Sequence, residues 1–249
     1  MVITLNRPER MNAISGPMLN ALSKTLQEAN TNPEVRAIVL TGTGRGFCAG
    51  LDLKDQSEGE GDGNGRRGFQ LFDLHNSPPV VINRMDKPMI CALNGAAAGY
   101  GMDMALGCDI RIASEHAKMG AVFAKRGVLP ESGGTWYLPR LIGWARAAEV
   151  AFQGDVLDAE KSLELGLVNR VVKHDDLMPE AMTMAHKIAN NAPLSVQSTK
   201  RMMRLGMDET YEAAVDHVYL QLLPLFQSED FKEGLSAFAE KREPQFKGR

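Results

Sequence analysis

Residues 88–113 read PMICALNGAAAGYGMDMALGCDIRIA, and the fold turns on this stretch. Met89 to Leu93 is a short apolar run of the kind that forms a buried strand. An Asn94-Gly95 turn follows, then three alanines, then Gly99-Tyr100-Gly101, then an apolar segment with one carboxylate, Asp103. Small residues at this density let the backbone approach another group closely. A helix starting near Gly99 would present unpaired N–H groups and the positive end of its dipole to whatever lies there. That describes a pocket for an oxyanion or a phosphate, and the stretch alone does not choose between them.

Working outward, 249 residues suit one large domain, or one domain with a small appendage, and a sizeable core. The net charge of −3 offers nothing to a polyanion, so no nucleic-acid partner is expected. The basic groups near Arg66-Arg67 and between Lys200 and Arg204 read as solvated faces. Cys48, Cys91 and Cys108 are odd in number and sit among apolar or small residues. This fits a reducing compartment, and a cytoplasmic location is expected. Neither a targeting peptide nor a membrane span is legible. The chain is strand-like from residue 2, which leaves open a preceding strand or a true start upstream.

Val2 to Leu5 reads as a strand, and Ser15-Gly16-Pro17 opens a helix running to about Asn30. Val35 to Leu40 is a second strand and leads into TGTGRGFCAGLDL. Residues 55–79, centred on QSEGEGDGNGRRG, are expected to be a mobile Gly-rich surface loop, either an inert insertion or an active-site lid, with a short helix at Phe69 to His75. After a strand at Ile110 to Ala113 come a helix near Ala145 to Phe152, a capped helix at Asp158 to Gly166 and a last strand at Leu167 to Val172. From Asp175 onward the pattern is helical, with breaks near Ala192-Pro193, Gly206 to Asp208 and Ser228-Glu229. The expected organisation is an α/β core over 1–172 and an all-α region over 173–249.

Several familiar motifs fail. TGTGRG lacks the spacing of a dinucleotide fingerprint and runs into FCAGLDL instead of a helix. There is no P-loop and no GxSxG elbow. The five histidines show no metal-ligand spacing, so no metal is expected. Cys48 stands beside a glycine turn with no histidine nearby in sequence, and a buried structural thiol is the favoured reading.

Two segments together are far more specific: FCAGLDLK (Phe47 to Lys54) and LNGAAAGYGMDMALGCDIRIA (Leu93 to Ala113). With LNRPERMNAIS near the start and GVLPESGGTWYLPRLIG later, the chain resembles the crotonase (enoyl-CoA hydratase/isomerase) superfamily along its whole length. The resemblance implies a crotonase-like spiral of ββα units with a C-terminal all-α trimerisation region, assembled as a homotrimer or a dimer of trimers. It implies an acyl-CoA thioester as substrate and no separate cofactor, coenzyme A being part of the substrate. The thioester oxygen would be held by the backbone N–H groups of Leu51 and Tyr100, an oxyanion hole of a type in which one donor contributes about 3–4 kcal/mol. Most relatives carry a small residue at the Tyr100 position, so its ring is expected to point somewhere unusual. The CoA would be held by Leu51, Asp52, Leu53 and Lys54, by the region of Arg10 and Met11, and by Phe238 and Lys241 reaching across from a neighbouring subunit. For Lys241 an ordinary solvated lysine is an equal alternative.

The same resemblance bears on the reaction. Hydratases of the family use two glutamates to position one water. The first matches Asp103, still acidic but one methylene shorter; the second matches Phe123, which can neither hold water nor carry a proton and becomes a wall of the acyl pocket. Glu131 in PESGG stands where related isomerases and dehalogenases place an aspartate, and the local match is best to the ring-epoxide isomerases of phenylacetyl-CoA degradation. A single carboxylate beside an oxyanion hole can take a proton from one carbon and return it to another. Glu131 is therefore the expected catalytic base, with Asp103 a second acid/base, a polar wall or a buried structural carboxylate. A hydratase using Asp103 and Glu131, an acyl-CoA hydrolase or ring-cleaving enzyme, and a non-catalytic CoA-binding protein remain alternatives.

Overall fold

The computed structural model describes residues 1–52 and 76–249. Expectations about Leu53, Lys54, residues 55–75 and the helix at Phe69 to His75 therefore fall outside the described residues. A five-stranded parallel sheet has the order β1-β2-β4-β6-β9, with β1 Val2–Leu5, β2 Ile38–Gly42, β4 Met89–Leu93, β6 Ile110–Ser114 and β9 Arg170–Val172. A second sheet has the order β3-β5-β7-β8: Gly46–Cys48, Ala96–Ala98, Lys118–Gly120 and Val156–Asp158. Only its last pair, β7 with β8, is antiparallel. The chain alternates between the two sheets as it advances, β2 to β3, β4 to β5, β6 to β7, which makes the expected spiral.

The strand Met89–Leu93 is an unbroken apolar run because both its faces are covered. Met89, Cys91 and Leu93 join the large core with Leu26, Leu40 and Phe47. Ile90 and Ala92 face the other way, where α7 (Leu177–Ala189) lays Leu177, Ala181 and Ala185 over them. Helix α1 (Gly16–Thr31) starts as its sequence indicates: the Ser15 hydroxyl accepts the Met18 N–H. Helix α2 spans Pro78–Arg84 and α3 spans Tyr100–Gly107. Helices α4 (Gly134–Ile142) and α5 (Trp144–Gln153) follow, and α6 (Ala159–Leu165) is capped by the Asp158 carboxylate. After α7 come α8 (Pro193–Gly206), α9 (Tyr211–Gln227) and α10 (Glu229–Glu240). Among the described residues, none of these helices is long and apolar enough to cross a membrane.

Two strands are shorter than the sequence pattern predicts: β2 begins at Ile38, not Val35, and β9 at Arg170, not Leu167. The second sheet is the larger departure. Its strands are three residues each, too short to show an alternation, and AAA is a poor strand former that becomes one only because β3 and β7 flank it.

The two sheets meet at loops that side-chain amides fasten. Asn94 accepts the Gly42 N–H at 3.0 Å and donates to the carbonyls of Gly44 and Gly46 at 2.8 and 3.1 Å. Asn12, left-handed at φ 56°, donates to the carbonyls of Thr43 and Gly46. Gly95 has no room for more: a Cβ there would stand 2.1 Å from the Arg45 carbonyl oxygen. Beneath α3, the buried Arg111 guanidinium donates to the carbonyls of Leu106, Cys108 and Leu167, cationic charge placed at the helix C-terminus where the dipole favours it.

Candidate active site

Two backbone turns approach each other at the heart of the spiral. The first follows β3: Gly50 is left-handed at φ 107°, and Leu51 forms a parallel bridge with Ile14. That bridge uses the Ile14 N–H on the Gly50 carbonyl and the Asp52 N–H on the Ile14 carbonyl. In a parallel pairing the Leu51 N–H points to the opposite side. The second turn opens α3, whose first backbone bond runs from Asp103 N–H to the Gly99 carbonyl. The Tyr100 N–H precedes it and is one of the orphan donors of a helix start. A Cβ placed on Gly50 would stand 3.9 Å from the Tyr100 nitrogen, so the two turns are neighbours. Gly101 makes the approach possible, since a Cβ there would stand 2.1 Å from the Cys48 carbonyl oxygen. The pair has the layout of an oxyanion hole: two N–H groups from separate elements, one reinforced by a helix dipole.

The carboxylates differ sharply. Asp103 is 1% exposed. It lies in the first turn of α3 and accepts backbone N–H bonds from Gly134 and from Ser132, the latter at 3.3 Å. Burial pushes its carboxyl up to about 7, the two N–H bonds opposing this and the charge of Glu131 adding to it. Glu131 is exposed, in the turn just before Ser132. Asp103 thus anchors the turn that carries Glu131, which the sequence did not disclose. The Gly133-Gly134 pair is its only trace there, and its meaning depends on which side chain approaches from α3.

Phe123 is 5% exposed, its ring 3.7 Å from where a Gly99 Cβ would be. The ring thus packs as an apolar group against the start of α3. Tyr100 is buried too, and its hydroxyl, like that of Ser23, has no hydrogen-bond partner among the described residues. Cys48 is fully buried, and desolvation pushes its thiol up to about 12, so it is no nucleophile at neutral pH.

The residues expected around CoA are placed as follows. Met11, left-handed at φ 51°, packs its methyl against Gly46. The Asp52 carboxylate, 5% exposed, pairs with Arg7 at 3.2 Å and Arg10 at 3.1 Å. This brings the segment after β1 onto the Leu51 turn, and Arg7 is a partner that sequence reading missed. Phe238 and Lys241 end α10; Phe238 is 86% exposed and Lys241 caps the helix at φ 55°. Among the described residues no group of His, Cys, Asp and Glu could hold a metal ion.

Comparison with known proteins agrees with this geometry. A family model described as enoyl-CoA hydratase/isomerase matches residues 1–249. The chain is 38% identical to the 1,2-epoxyphenylacetyl-CoA isomerase of Escherichia coli (strain K12), covering 100% of this chain and 95% of that protein. It is 39% identical to the (E)-benzylidenesuccinyl-CoA hydratase of Thauera aromatica, covering 99% and 94%. The crystal structure of an enoyl-CoA hydratase from Bacillus anthracis matches with a TM-score of 0.91 at 34% identity, covering 100% and 95%. The spiral, the facing turns and this whole-length similarity lead to one conclusion: the chain belongs to the enoyl-CoA hydratase/isomerase family, with the crotonase fold.

Proposed function

We propose that this enzyme shifts the double bond of an enoyl-CoA. The thioester oxygen accepts the N–H groups of Leu51 and Tyr100. Glu131 removes a proton from Cα of a 3-enoyl-CoA, and the electron pair moves into a dienolate whose oxygen carries the charge between the two donors. The same carboxyl then returns the proton to Cγ, giving the 2-enoyl-CoA with no atom gained or lost.

The observation that carries this reading is the unequal engagement of the two carboxylates. Asp103 is buried and bound to two backbone N–H groups. Glu131 is exposed at the tip of the turn that Asp103 holds. One carboxylate is free to move a proton while the other is committed to position it, and Phe123 replaces the further glutamate that hydration would use. The test is Glu131→Gln assayed on a 3-enoyl-CoA. Turnover should fall by about 10²–10⁴-fold with CoA binding intact; a near-wild-type rate overturns the proposal.

A hydratase reading has one observation in its favour: Asp103 bonds the N–H of Ser132, the residue next to Glu131, so both carboxyls belong to one local structure. Incorporation of 18O from labelled water into a 2-enoyl-CoA distinguishes it. For assembly we propose a trimer, or a dimer of trimers. The support is exposed apolar surface on α9 and α10, including Tyr211, Leu220, Leu223 and Phe238, more than a free helical face ordinarily carries. In that assembly Phe238 and Lys241 would reach a neighbour's CoA, alongside Arg10, Met11 and the Leu51–Asp52 turn of the chain that binds it.

A further inference from the structure

Two glycines on separate elements make room for one side chain, that of Tyr137. A Cβ on Gly133, left-handed at φ 108° in the turn after Glu131, would stand 3.0 Å from the Tyr137 ring. A Cβ on Gly107, the last residue of α3, would stand 3.4 Å from the Tyr137 hydroxyl oxygen. Tyr137 lies in the first turn of α4, where a long side chain leans back over the residue four before it, here Gly133. The far end of the ring is pinned: the side-chain amide of Asn83, in α2, donates to the phenol oxygen at 2.8 Å. Arg204 of α8 in turn donates to the Asn83 and Met85 carbonyls and fixes the end of α2. Burial pushes the phenol up to about 12, with the Asn83 bond opposing it, so the oxygen stays neutral at working pH. Nothing in the proton shuttle uses this group.

We propose that Tyr137 is a positioning residue for Glu131. The inference rests on the reading of Glu131 as the proton shuttle. The Asp103 carboxylate holds the backbone of Ser132 and Gly134, and the phenol packs on Gly133 between them. The exposed Glu131 side chain thus projects from a turn braced on three consecutive residues. Without the Asn83 bond the ring loses its anchor at the hydroxyl end. Gly133, the most permissive residue of the turn, then gains freedom. Proton transfer needs the carboxyl within about 2.6–3.2 Å of the carbon-bound proton's position. A looser turn therefore lowers the time Glu131 spends in reach and leaves thioester binding untouched.

The test is a mutant cycle read as kcat and KM on a 3-enoyl-CoA. Tyr137→Phe should lower kcat by about tenfold, short of the roughly 10²-fold that a 1 Å misplacement can cost. KM and the affinity for pentanoyl-CoA, a saturated chain, should not change. Asn83→Leu should reproduce the loss, and the two together should lose no more than either alone, because each removes the same bond. In a Glu131→Gln background Tyr137→Phe should cost nothing further, since the group it positions is gone. The proposal is overturned if Tyr137→Phe keeps kcat within about twofold of wild type, or if KM rises as much as kcat falls. It is equally overturned if the losses of Tyr137→Phe and Asn83→Leu multiply, or if Tyr137→Phe costs as much beside Glu131→Gln as alone. A near-wild-type rate for Glu131→Gln itself would overturn the reading of that residue as the shuttle, and this inference with it.

Discussion

The Asp103 carboxylate and the Gly134 backbone are in direct contact: a methyl group on Gly134 would stand 2.3 Å from Asp103 Oδ1. Through this contact, and the Ser132 N–H bond beside it, the first turn of α3 holds the loop that carries Glu131. The proposed oxyanion donor at Tyr100 and the proposed base are thereby referred to the same turn of helix.

Gly134→Ala should separate them. The added carbon collides with Asp103 and lies 2.9 Å from the Pro130 Cβ, so the turn must shift. Overpacking of this kind costs about 1–3 kcal/mol. Urea unfolding should report that loss. Turnover should fall by more than the binding of a saturated acyl-CoA, because the misplaced group is the proposed base and not the proposed donor pair.

Asp103 makes stability depend on pH. Burial pushes its folded carboxyl up to about 7, above the ordinary aspartate value of about 3.8. Between those values the native state holds a proton that the unfolded chain has released, so stability falls as pH rises from about 4 to 7 and levels off beyond. The gap corresponds to on the order of 4 kcal/mol. Asp103→Asn cannot titrate there and should lose this slope. Urea melts at pH 5 and pH 8 should show the variant gaining on wild type at the higher pH. A constant difference between the two would contradict the assignment.

Gly101→Ala tests the approach of the two turns. A Cβ there meets the Cys48 carbonyl oxygen at 2.1 Å, and neither the backbone oxygen nor a Cβ can rotate out of the way. The Leu51 and Tyr100 donors should move apart, and the loss should resemble removal of one oxyanion donor, about 10²–10³-fold in kcat. The accompanying backbone shift should also expose Cys48, which in wild type is fully buried. Labelling with a thiol reagent in the native state should be slow for wild type and faster for the variant.

Local pattern was enough for the elements with long signals. The apolar run Met89 to Leu93, the Ser15 cap of α1 and the Asp158 cap of α6 are all where spacing and capping chemistry place them. The second sheet was not legible, because three-residue strands carry no period and Ala96 to Ala98 has no strand preference of its own. Its existence depends on pairing between residues far apart in the chain, such as Gly46 with Ala96 and Ala96 with Lys118.

The division at the site is similar. The amino-acid sequence by itself determined the family, the small-residue turns at Gly50 and Gly99 to Gly101, and the presence of Asp103, Phe123 and Glu131, because these are matters of residue type and spacing. The tertiary structure decided what each of them touches. It buried Asp103 and spent it on the backbone of Ser132 and Gly134, left Glu131 exposed, closed Asp52 between Arg7 and Arg10, and buried Tyr100 with its hydroxyl unpartnered among the described residues. Burial and hydrogen-bond partnership are set by residues that converge only when the spiral closes, and no local pattern in the chain encodes them.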